Sequence, residues 1–311
     1  MKGGVLVVGG ADVDLFLPIE PQNPHFKFDP KDNELSVHLG DKVLFKNANF
    51  AVGGNAANVS VGLKRLGINS SIMTDLGSDE FAKKILDTLR SEGVDVSNVK
   101  ENDGPSSFSV VLTYKDDRTI LAEKAEALHR FNFDNISVAW VYLTSLGGDW
   151  EAAYKNISNF LEKSKAKLAF NPGSAQIEKG LESFSYLLPK TQILILNKEE
   201  AEKLINDKGL MMNDLLLRLK QLGPKIVVVT DGENGSDLIS DSGEILHQDA
   251  LKVDVVSAAG AGDAYSSGFL AAVILGKPLQ DAMIWGSKNA ASVVGKIGAE
   301  KGLLKAEEID S

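Results

Sequence analysis

Short runs of apolar residues alternate along most of the chain with longer segments whose apolar residues recur every three or four positions. The runs typical of strands buried on both faces are 5–8, 141–144, 168–171, 193–197 and 226–230. Helical periodicity appears at 151–164, 198–205, 213–222 and 278–294. Strands that alternate with helices build parallel sheets covered on both sides. The pattern therefore predicts an α/β fold with a mainly parallel central sheet and helices on both faces.

Two early segments lack this alternation and have the pattern of antiparallel hairpins. The runs of the first are 34–39 and 42–50, with a turn at Gly40-Asp41, and those of the second are 107–114 and 118–122, with a turn at 115–117. We predict that the two hairpins form a small β lid, about residues 15–52 and 105–123. The lid belongs to one domain that spans 1–311.

The composition limits the possible classes of function. The 311 residues include no cysteine, which excludes disulfides, thiolate nucleophiles and cysteine zinc sites. A net charge of -10 argues against a general nucleic-acid or membrane surface, which needs clustered lysine and arginine. No apolar run approaches the roughly 20 residues of a membrane span. We therefore expect a soluble cytoplasmic protein.

Several residues with chemical potential are interpreted as structural. The four histidines have no metal-ligand spacing, so we expect them at the surface or in the lid: His25, His38, His129 and His247. In the last helical segment, Trp285 and Val293 follow the apolar periodicity and are predicted to lie in the core.

The sequence Gly-Ala-Gly-Asp at 260–263 is the strongest candidate for chemistry. It leads into an apolar helical stretch, so its amides are expected at a helix N-terminus, where they and the helix dipole attract an anion such as a phosphoryl group. Asp263 then lies on the first turn, where a carboxylate is able to accept a proton from an attacking hydroxyl. The alternative is a flexible turn capped by an aspartate.

A second glycine motif, Gly-Gly-Asn-Ala-Ala-Asn at 53–58, opens another predicted helix that extends to about Leu66. The glycines allow close approach of a small ligand, and Asn58 offers a donor and an acceptor to sugar hydroxyls. Asp12 and Asp14 follow the first strand, and ligands of open α/β sheets bind beyond the carboxyl ends of strands. The alternatives are a capped glycine turn for the motif and a turn aspartate after the strand.

Together these motifs resemble the ribokinase-like, or PfkB, family of carbohydrate and nucleoside kinases. The similarity extends to Asn-Lys-Glu-Glu at 197–200 and to Thr-Asp-Gly at 230–232 followed by Gly235. The four motifs occur in the family's order and cover nearly the whole chain. The resemblance implies a ribokinase-like fold and ATP-dependent phosphoryl transfer.

The resemblance also implies roles for individual residues. Asp263 is the catalytic base, and the turn formed by Gly260, Ala261 and Gly262 binds the transferring phosphoryl group. Sugar contacts are implied for Asp12, Asp14, Gly53, Gly54 and Asn58. Nucleotide contacts are implied for Asn197, Thr230, Gly232, Gly235 and Asn289, with Asn289 on the adenine side, and Glu200 is implied in organising Mg²⁺. For Asn197 and Glu200 the alternative is a helix cap, which is compatible with the magnesium role. For Asn289 it is a polar residue on a surface helix.

Two segments depart from the family's pattern. The residues before Gly260 are Ser257-Ala258-Ala259, where the family usually has Asp-Thr-Thr, and that aspartate helps many relatives to hold a monovalent cation. We therefore expect a weak response to potassium. After the second hairpin, Lys-Ala-Glu-Ala at 124–127 replaces the usual Gly-Ala-Asn, so a common sugar contact is missing or replaced.

We therefore predict an ATP-dependent and Mg²⁺-dependent kinase that phosphorylates a hydroxyl group of a small sugar. Its partners are the sugar and ATP, not nucleic acid or a membrane, and the resemblance implies a homodimer formed through the lid. The alternatives are a nucleoside kinase and a catalytically silent sugar or nucleotide sensor. A phosphorylated sugar is a weaker candidate, because no Lys and Arg pair lies near the Gly53 motif, although Lys42, Lys46 or Arg118 on the predicted lid would be able to reach one.

Overall fold

The apolar runs form the centre of the protein in the computed structural model, which describes residues 3–115, 117–123, 125, 129–296 and 298–310. The described strands are β1 (Val5–Val8), β2 (Asp12–Ile19), β3 (Phe26–Asp29), β4 (Glu34–Val37), β5 (Asn49–Gly53), β6 (Ser70–Met73), β7 (Asp75–Leu76), β8 (Lys100–Glu101), β9 (Phe108–Tyr114), β10 (Asp117–Glu123), β11 (Trp140–Leu143), β12 (Lys167–Phe170), β13 (Thr191–Asn197), β14 (Ile226–Thr230), β15 (Ser236–Ile239) and β16 (Ile245–Gln248). The described helices are α1 (Asn55–Arg65), α2 (Glu80–Ser91), α3 (Trp150–Lys163), α4 (Ser174–Lys179), α5 (Lys198–Ile205), α6 (Met212–Gln221), α7 (Ala261–Ile274), α8 (Leu279–Val294) and α9 (Ala306–Ile309).

The central sheet has eight strands in the order β16-β15-β14-β13-β12-β11-β1-β6. The six strands from β14 to β6 are parallel, and β15 and β16 continue the sheet antiparallel at one edge. The five predicted apolar strands and the four predicted helices between and after them are therefore confirmed to within one or two residues. The fold class is confirmed as well.

Successive residues of the central strands face opposite helical layers. In β1, Val5 and Val7 pack with α1, α2, α7 and α8, whereas Leu6 and Val8 pack with α3 to α6. Trp285 and Val293 of α8 lie in the first of these cores, as predicted. None of the described helices combines the length and apolar character needed to cross a membrane.

A second sheet of four strands, in the order β10-β9-β2-β5, lies in the region predicted to be a lid. The predicted hairpin of β9 and β10 is confirmed, with Tyr114 opposite Asp117 and a left-handed φ of 53° at Lys115. The prediction missed β2, which pairs in parallel with β9 and antiparallel with β5. Pro18 lies in the part of β2 beyond the pairing with β5, where a missing N–H removes no bond on that side.

The first predicted hairpin is wrong. The strand that pairs with β4 is β3, from the segment rich in proline and asparagine, and residues 42–48 form no strand. The connection between the two strands ends at Asn33, which has a φ of 52°, a conformation that asparagine tolerates. Residues 49–53 instead form β5, because β2 offers them an edge for pairing that hydrophobic pattern alone does not show.

The carboxyl ends of β1, β11, β13 and β14 lie along one edge of the central sheet because these strands are parallel. The amide of Gly10, after β1, donates to the carbonyl of Ser145, after β11. The amide of Ala56, in the first turn of α1, donates to the carbonyl of Gly10. These bonds hold the N-terminus of α1 against the loops that follow the central strands.

Candidate active site

Asp263 and Asn58 form the centre of the site. The side-chain amide of Asn58 (Nδ2) donates to a carboxylate oxygen of Asp263 (Oδ2) at 2.8 Å. The two side chains belong to the first turns of α7 and α1, and both residues are buried, with 7% and 5% of their surface exposed. The two glycine motifs, 205 residues apart in sequence, thus meet at one carboxylate.

Burial raises the pKa of Asp263 to about 7, from an ordinary value of 3.8. Hydrogen bonds from Asn58 and Asn55 oppose this effect by stabilising the ionised form, and the nearby carboxylates of Asp12 and Glu200 add to the increase. A carboxyl group whose pKa lies near neutral pH is suited to accept and release a proton in general base catalysis.

Gly260 begins α7 in a conformation that only glycine adopts readily. Its φ is 79°, and a β-carbon at this position would lie 2.3 Å from the β-carbon of Ala299. No side chain in the described part of the protein caps this helix. An anion is therefore able to bind the first-turn amides of Ala261, Gly262 and Asp263 without displacing a cap.

Asp12 and Asp14 of β2 lie beside the glycines of the other motif. In the β2–β5 ladder Asp12 is opposite Gly53, and a β-carbon on Gly53 would lie 2.5 Å from the carboxylate of Asp14 and 2.9 Å from that of Asp12. Gly54 has a φ of 89°, and its backbone packs against the carbonyl of Gly10. The structure therefore brings the five predicted sugar-side residues together, next to Asp263.

On the other side of α7 lies a groove of about 1050 Å³. Thr230, Gly232 and Gly235 line it, together with Ala261 and Gly262 from the first turn of α7. Leu251, Val253 and Val255 form an apolar part of the wall that the motifs did not indicate. A groove of this volume, with apolar residues in its wall and first-turn residues of a helix in its lining, has the size and chemistry to accept a nucleotide.

Asn197 and Glu200 form a capping box at the start of α5. The side chain of Asn197 accepts from the amide of Glu200 at 2.8 Å, and the side chain of Glu200 accepts from the amide of Asn197 at 3.0 Å. The capping interpretation is therefore confirmed. Burial raises the pKa of Glu200 despite the bond from Asn197, so a cation nearby would stabilise its ionised form.

The structure does not place Asn289 on the wall of the groove. Asn289 is fully buried; its Nδ2 donates to the carbonyl of Ala264 and to Ser267, and its Oδ1 accepts from the amide of Leu304. The predicted adenine contact is corrected to a structural role, because the side chain links α8 to α7. The alternative of a polar residue on a surface helix is corrected too, because Asn289 is buried. Ser287 and Ala291 of the same helix line the groove instead.

His129 is also corrected, from a surface or lid residue to a buried one. Its Nδ1 and Nε2 lie 2.7 Å from a carboxylate oxygen of Asp75 and from the carbonyl of Gly147. The other histidines, His25, His38 and His247, are at least partly exposed, as predicted. A single histidine gives no periodic signal, so only its neighbours in space reveal its role.

Sequence reasoning also missed Asn55 as a site residue. It bonds to Asp263, and the hydroxyl of Ser145 lies 3.4 Å from its side-chain oxygen. Its spacing of three residues from Asn58 places both on one face of α1, which was the available signal.

The two departures from the family pattern are only partly visible. The Ser257 hydroxyl accepts from the amide of Ala259 at 3.3 Å, so it supports the turn before α7. Of the segment 124–127, only Ala125 is among the described residues, and its amide donates to Ser107. Among the residues that the structure describes, no group of three or more histidine, aspartate or glutamate side chains has the arrangement of a metal site.

Comparisons with known proteins identify the family of this chain. The family model described as pfkB family carbohydrate kinase matches residues 26–306. The chain is 26% identical to the 5-dehydro-2-deoxygluconokinase of Bacillus subtilis, over 83% of this chain and 85% of that one. It is 28% identical to the nucleoside kinase of Methanocaldococcus jannaschii, over 81% of this chain and 82% of that one.

Solved structures show the same fold. The ribokinase of Arabidopsis thaliana, solved with ribose and ATP, superposes with a TM-score of 0.81 at 21% identity, over 99% of this chain and 98% of that one. The family match covers most of the chain and includes every predicted site residue except Asp12 and Asp14. The chain therefore belongs to the pfkB family of carbohydrate kinases and is an ATP-dependent kinase that phosphorylates a hydroxyl group of a sugar.

Proposed function

We propose that Asp263 is the catalytic base of this kinase and that the first turn of α7 separates its two substrates. The observation that carries the proposal is that this turn has two faces. Ala261 and Gly262 line the groove, whereas Asp263 contacts Asn58 on the side of Asp12 and Asp14. A nucleotide in the groove and a sugar beside Asp263 would thus meet at the amides of the turn.

In the proposed reaction, Asp263 accepts the proton of a sugar hydroxyl as the oxygen attacks the γ-phosphorus of ATP. A new oxygen–phosphorus bond forms, the bond to the leaving oxygen of ADP breaks, and the proton stays on Asp263 until it is released. The amides of Ala261, Gly262 and Asp263 stabilise the charge on the phosphoryl oxygens. Asn58 orients the carboxylate, and its other bonding positions and the carboxylates of Asp12 and Asp14 are proposed to hold sugar hydroxyls.

Magnesium fits the residues near the groove. Glu200 offers a half-buried carboxylate whose pKa is raised by burial, and Asn197 offers an amide oxygen next to it; both are the hard oxygen ligands that Mg²⁺ prefers. Magnesium commonly keeps several waters and binds substrate phosphates, so a site with few protein ligands is expected. When bound, it neutralises phosphate charge. Glu200 and Asn197 would hold it through its waters.

The four-stranded sheet is proposed to act as a lid over the sugar, which limits hydrolysis of ATP by water. Phe50, Ile120 and Leu121 expose about half of their surface on this sheet. Exposed apolar residues on one sheet support pairing with the lid of a second copy, so we propose a homodimer. A cytoplasmic location, where ATP is available, is likewise proposed.

The substrate is proposed to be a small sugar without a phosphate group. Relatives include enzymes named 5-dehydro-2-deoxygluconokinase and ATP-dependent 6-phosphofructokinase, so the names of the relatives do not select one substrate. Among the described residues, Asp12 and Asp14 place two carboxylates on the sugar side of Asp263, and these favour hydroxyl groups over phosphate. Neither a nucleoside kinase nor a silent sensor is favoured.

The test is a coupled assay of ADP release with pentoses, hexoses, keto-deoxy sugar acids, fructose 6-phosphate and nucleosides. Asp263→Ala is the matched variant, and its nucleotide affinity should be nearly unchanged because the binding amides remain. We expect turnover with at least one unphosphorylated sugar and a loss of about 100- to 10,000-fold in the variant. Turnover in the variant above about a tenth of the unmodified rate would remove Asp263 from the catalytic role.

A further inference from the structure

Lys198 lies beside the groove, although no motif drew attention to it. It is the first residue of α5 and follows Asn197, which is opposite Thr230 in the β13–β14 ladder. Asp231 follows Thr230, and the ammonium of Lys198 (Nζ) donates to a carboxylate oxygen of Asp231 (Oδ2) at 2.9 Å. Thr230 and Gly232, the residues on either side of Asp231, both line the groove. The ammonium is therefore held at the margin of the groove.

A nucleotide bound in the groove needs more positive charge than the described lining residues supply. Among the described residues that line the groove, the charged ones are Glu233, Asp249 and Lys252, two carboxylates and one ammonium. The formal net charge of the whole chain is -10. A nucleoside diphosphate or triphosphate carries several negative charges, and the partial charge at the start of α7 offsets only part of them. Lysine is a common point-charge partner for phosphate oxygens.

The bond between Lys198 and Asp231 is easily exchanged. The Lys198 side chain is 38% exposed, and ion pairs at such positions contribute little to stability. The turn after Asp231 has other support, because the amide of Asp231 donates to the carbonyl of Gly235 at 2.8 Å and its carboxylate accepts from Asn234 at 3.2 Å. The ammonium has three donors on a flexible stem. Moving it to a phosphate oxygen therefore leaves the turn in place.

We propose that Lys198 binds a phosphate of the nucleotide and that Asp231 is the partner it leaves when the nucleotide binds. The inference rests on the proposed use of the groove for ATP. It requires the two members of the ion pair to have different effects on nucleotide affinity, because Lys198 attracts phosphate whereas Asp231 competes for Lys198 and repels phosphate. An ion pair that only supports the fold predicts equal effects.

The test measures binding of ATP, ADP and adenosine by isothermal titration calorimetry, without sugar and with magnesium present. In Lys198→Met, affinity for ATP and ADP should fall by about 10- to 100-fold, the loss expected for a hydrogen bond to a charged group. Affinity for adenosine, which has no phosphate, should be unchanged. Lys198→Arg should keep most of the affinity, and Asp231→Asn should bind ADP at least as tightly as the unmodified protein.

Lys179→Met is the matched control. Lys179 also donates to a carboxylate, that of Glu151, at 2.9 Å, and it lies on α4, none of whose residues is among the described residues that line the groove. This variant should bind ADP and ATP normally. Three outcomes would overturn the inference: an unchanged ADP affinity in Lys198→Met, an equal loss for adenosine, or an equal loss in Asp231→Asn. If the unmodified protein binds none of the three, the proposed use of the groove is itself wrong.

Discussion

The raised pKa of Asp263 predicts that the ionised carboxylate of this residue destabilises the fold. Because the pKa is higher in the folded protein than in the unfolded chain, folding favours the protonated carboxyl. Below the ordinary pKa of 3.8 the carboxyl is protonated in both the folded and the unfolded chain, so it does not change the free energy of unfolding. Between pH 3.8 and about 7 it lowers the free energy of unfolding progressively, and above about pH 7 the loss is constant. A difference of about 3 pH units corresponds to at most about 4 kcal/mol.

Asp263→Asn removes this cost while keeping the shape of the side chain and an oxygen that accepts from Asn58. At pH 8 we expect the variant to be more stable than the unmodified protein by up to about 4 kcal/mol, and at pH 4 we expect nearly equal stability. Turnover should fall by about 100- to 10,000-fold, because an amide cannot accept the proton.

The assay is chemical denaturation at pH 4, 5, 6, 7 and 8, followed by tryptophan fluorescence, with turnover measured at pH 8. Asp103→Asn is the control, because Asp103 is exposed and its substitution should change stability by less than about 0.5 kcal/mol at every pH. If the Asp263→Asn variant gains no stability at pH 8, or has the same advantage at pH 4 and pH 8, the argument from burial is refuted.

The other predictions concern pH, the sugar, the cation and the glycines before α7. The kcat/KM for sugar should rise with pH and reach half of its plateau near pH 7, because the base must be ionised; a flat profile from pH 5.5 to 8 would contradict this. Asp14→Ala should raise KM for sugar by about 10-fold and KM for ATP far less, in steady-state kinetics. Sodium, potassium and tetramethylammonium should support activities within about twofold at equal ionic strength, since Ser257 lacks a charge for a cation; saturable potassium activation would show other ligands. Gly260→Ala should destabilise by about 1–3 kcal/mol in denaturation experiments, whereas Gly262→Ala, where a β-carbon meets nothing within 4 Å, should not.

Local patterns in the sequence were sufficient for much of the fold and part of the site. The apolar run Val5–Val8 and the four later apolar runs predicted the parallel sheet, because a strand buried on both faces must be apolar along its length. The capping box of Asn197 and Glu200 joins residues three positions apart, so the sequence shows it directly. The sequence also shows directly that α7 begins after Gly260, because this depends on a single residue and its neighbours in the chain.

The tertiary structure decided whatever depends on partners distant in sequence. The strand β2 forms because β5 and β9 flank it, and residues 42–48 form no strand, although their own pattern favours one. Asn289 and His129 are polar residues whose bonds inside the protein come from other elements, so neither periodicity nor spacing indicates them.

The carboxylate of Asp263 shows most clearly which properties depend on the local sequence and which depend on the tertiary structure. Its position after two glycines indicated a base beside an anion site, and that inference used only the local sequence. Its pKa of about 7 depends on burial and on the bonds from Asn58 and Asn55, which the packing of α1 against α7 creates. Desolvation is a property of the surrounding atoms, and most of these come from residues far away in the chain. The sequence determined which group is available for chemistry, and only the tertiary structure determined the pH range in which it can act.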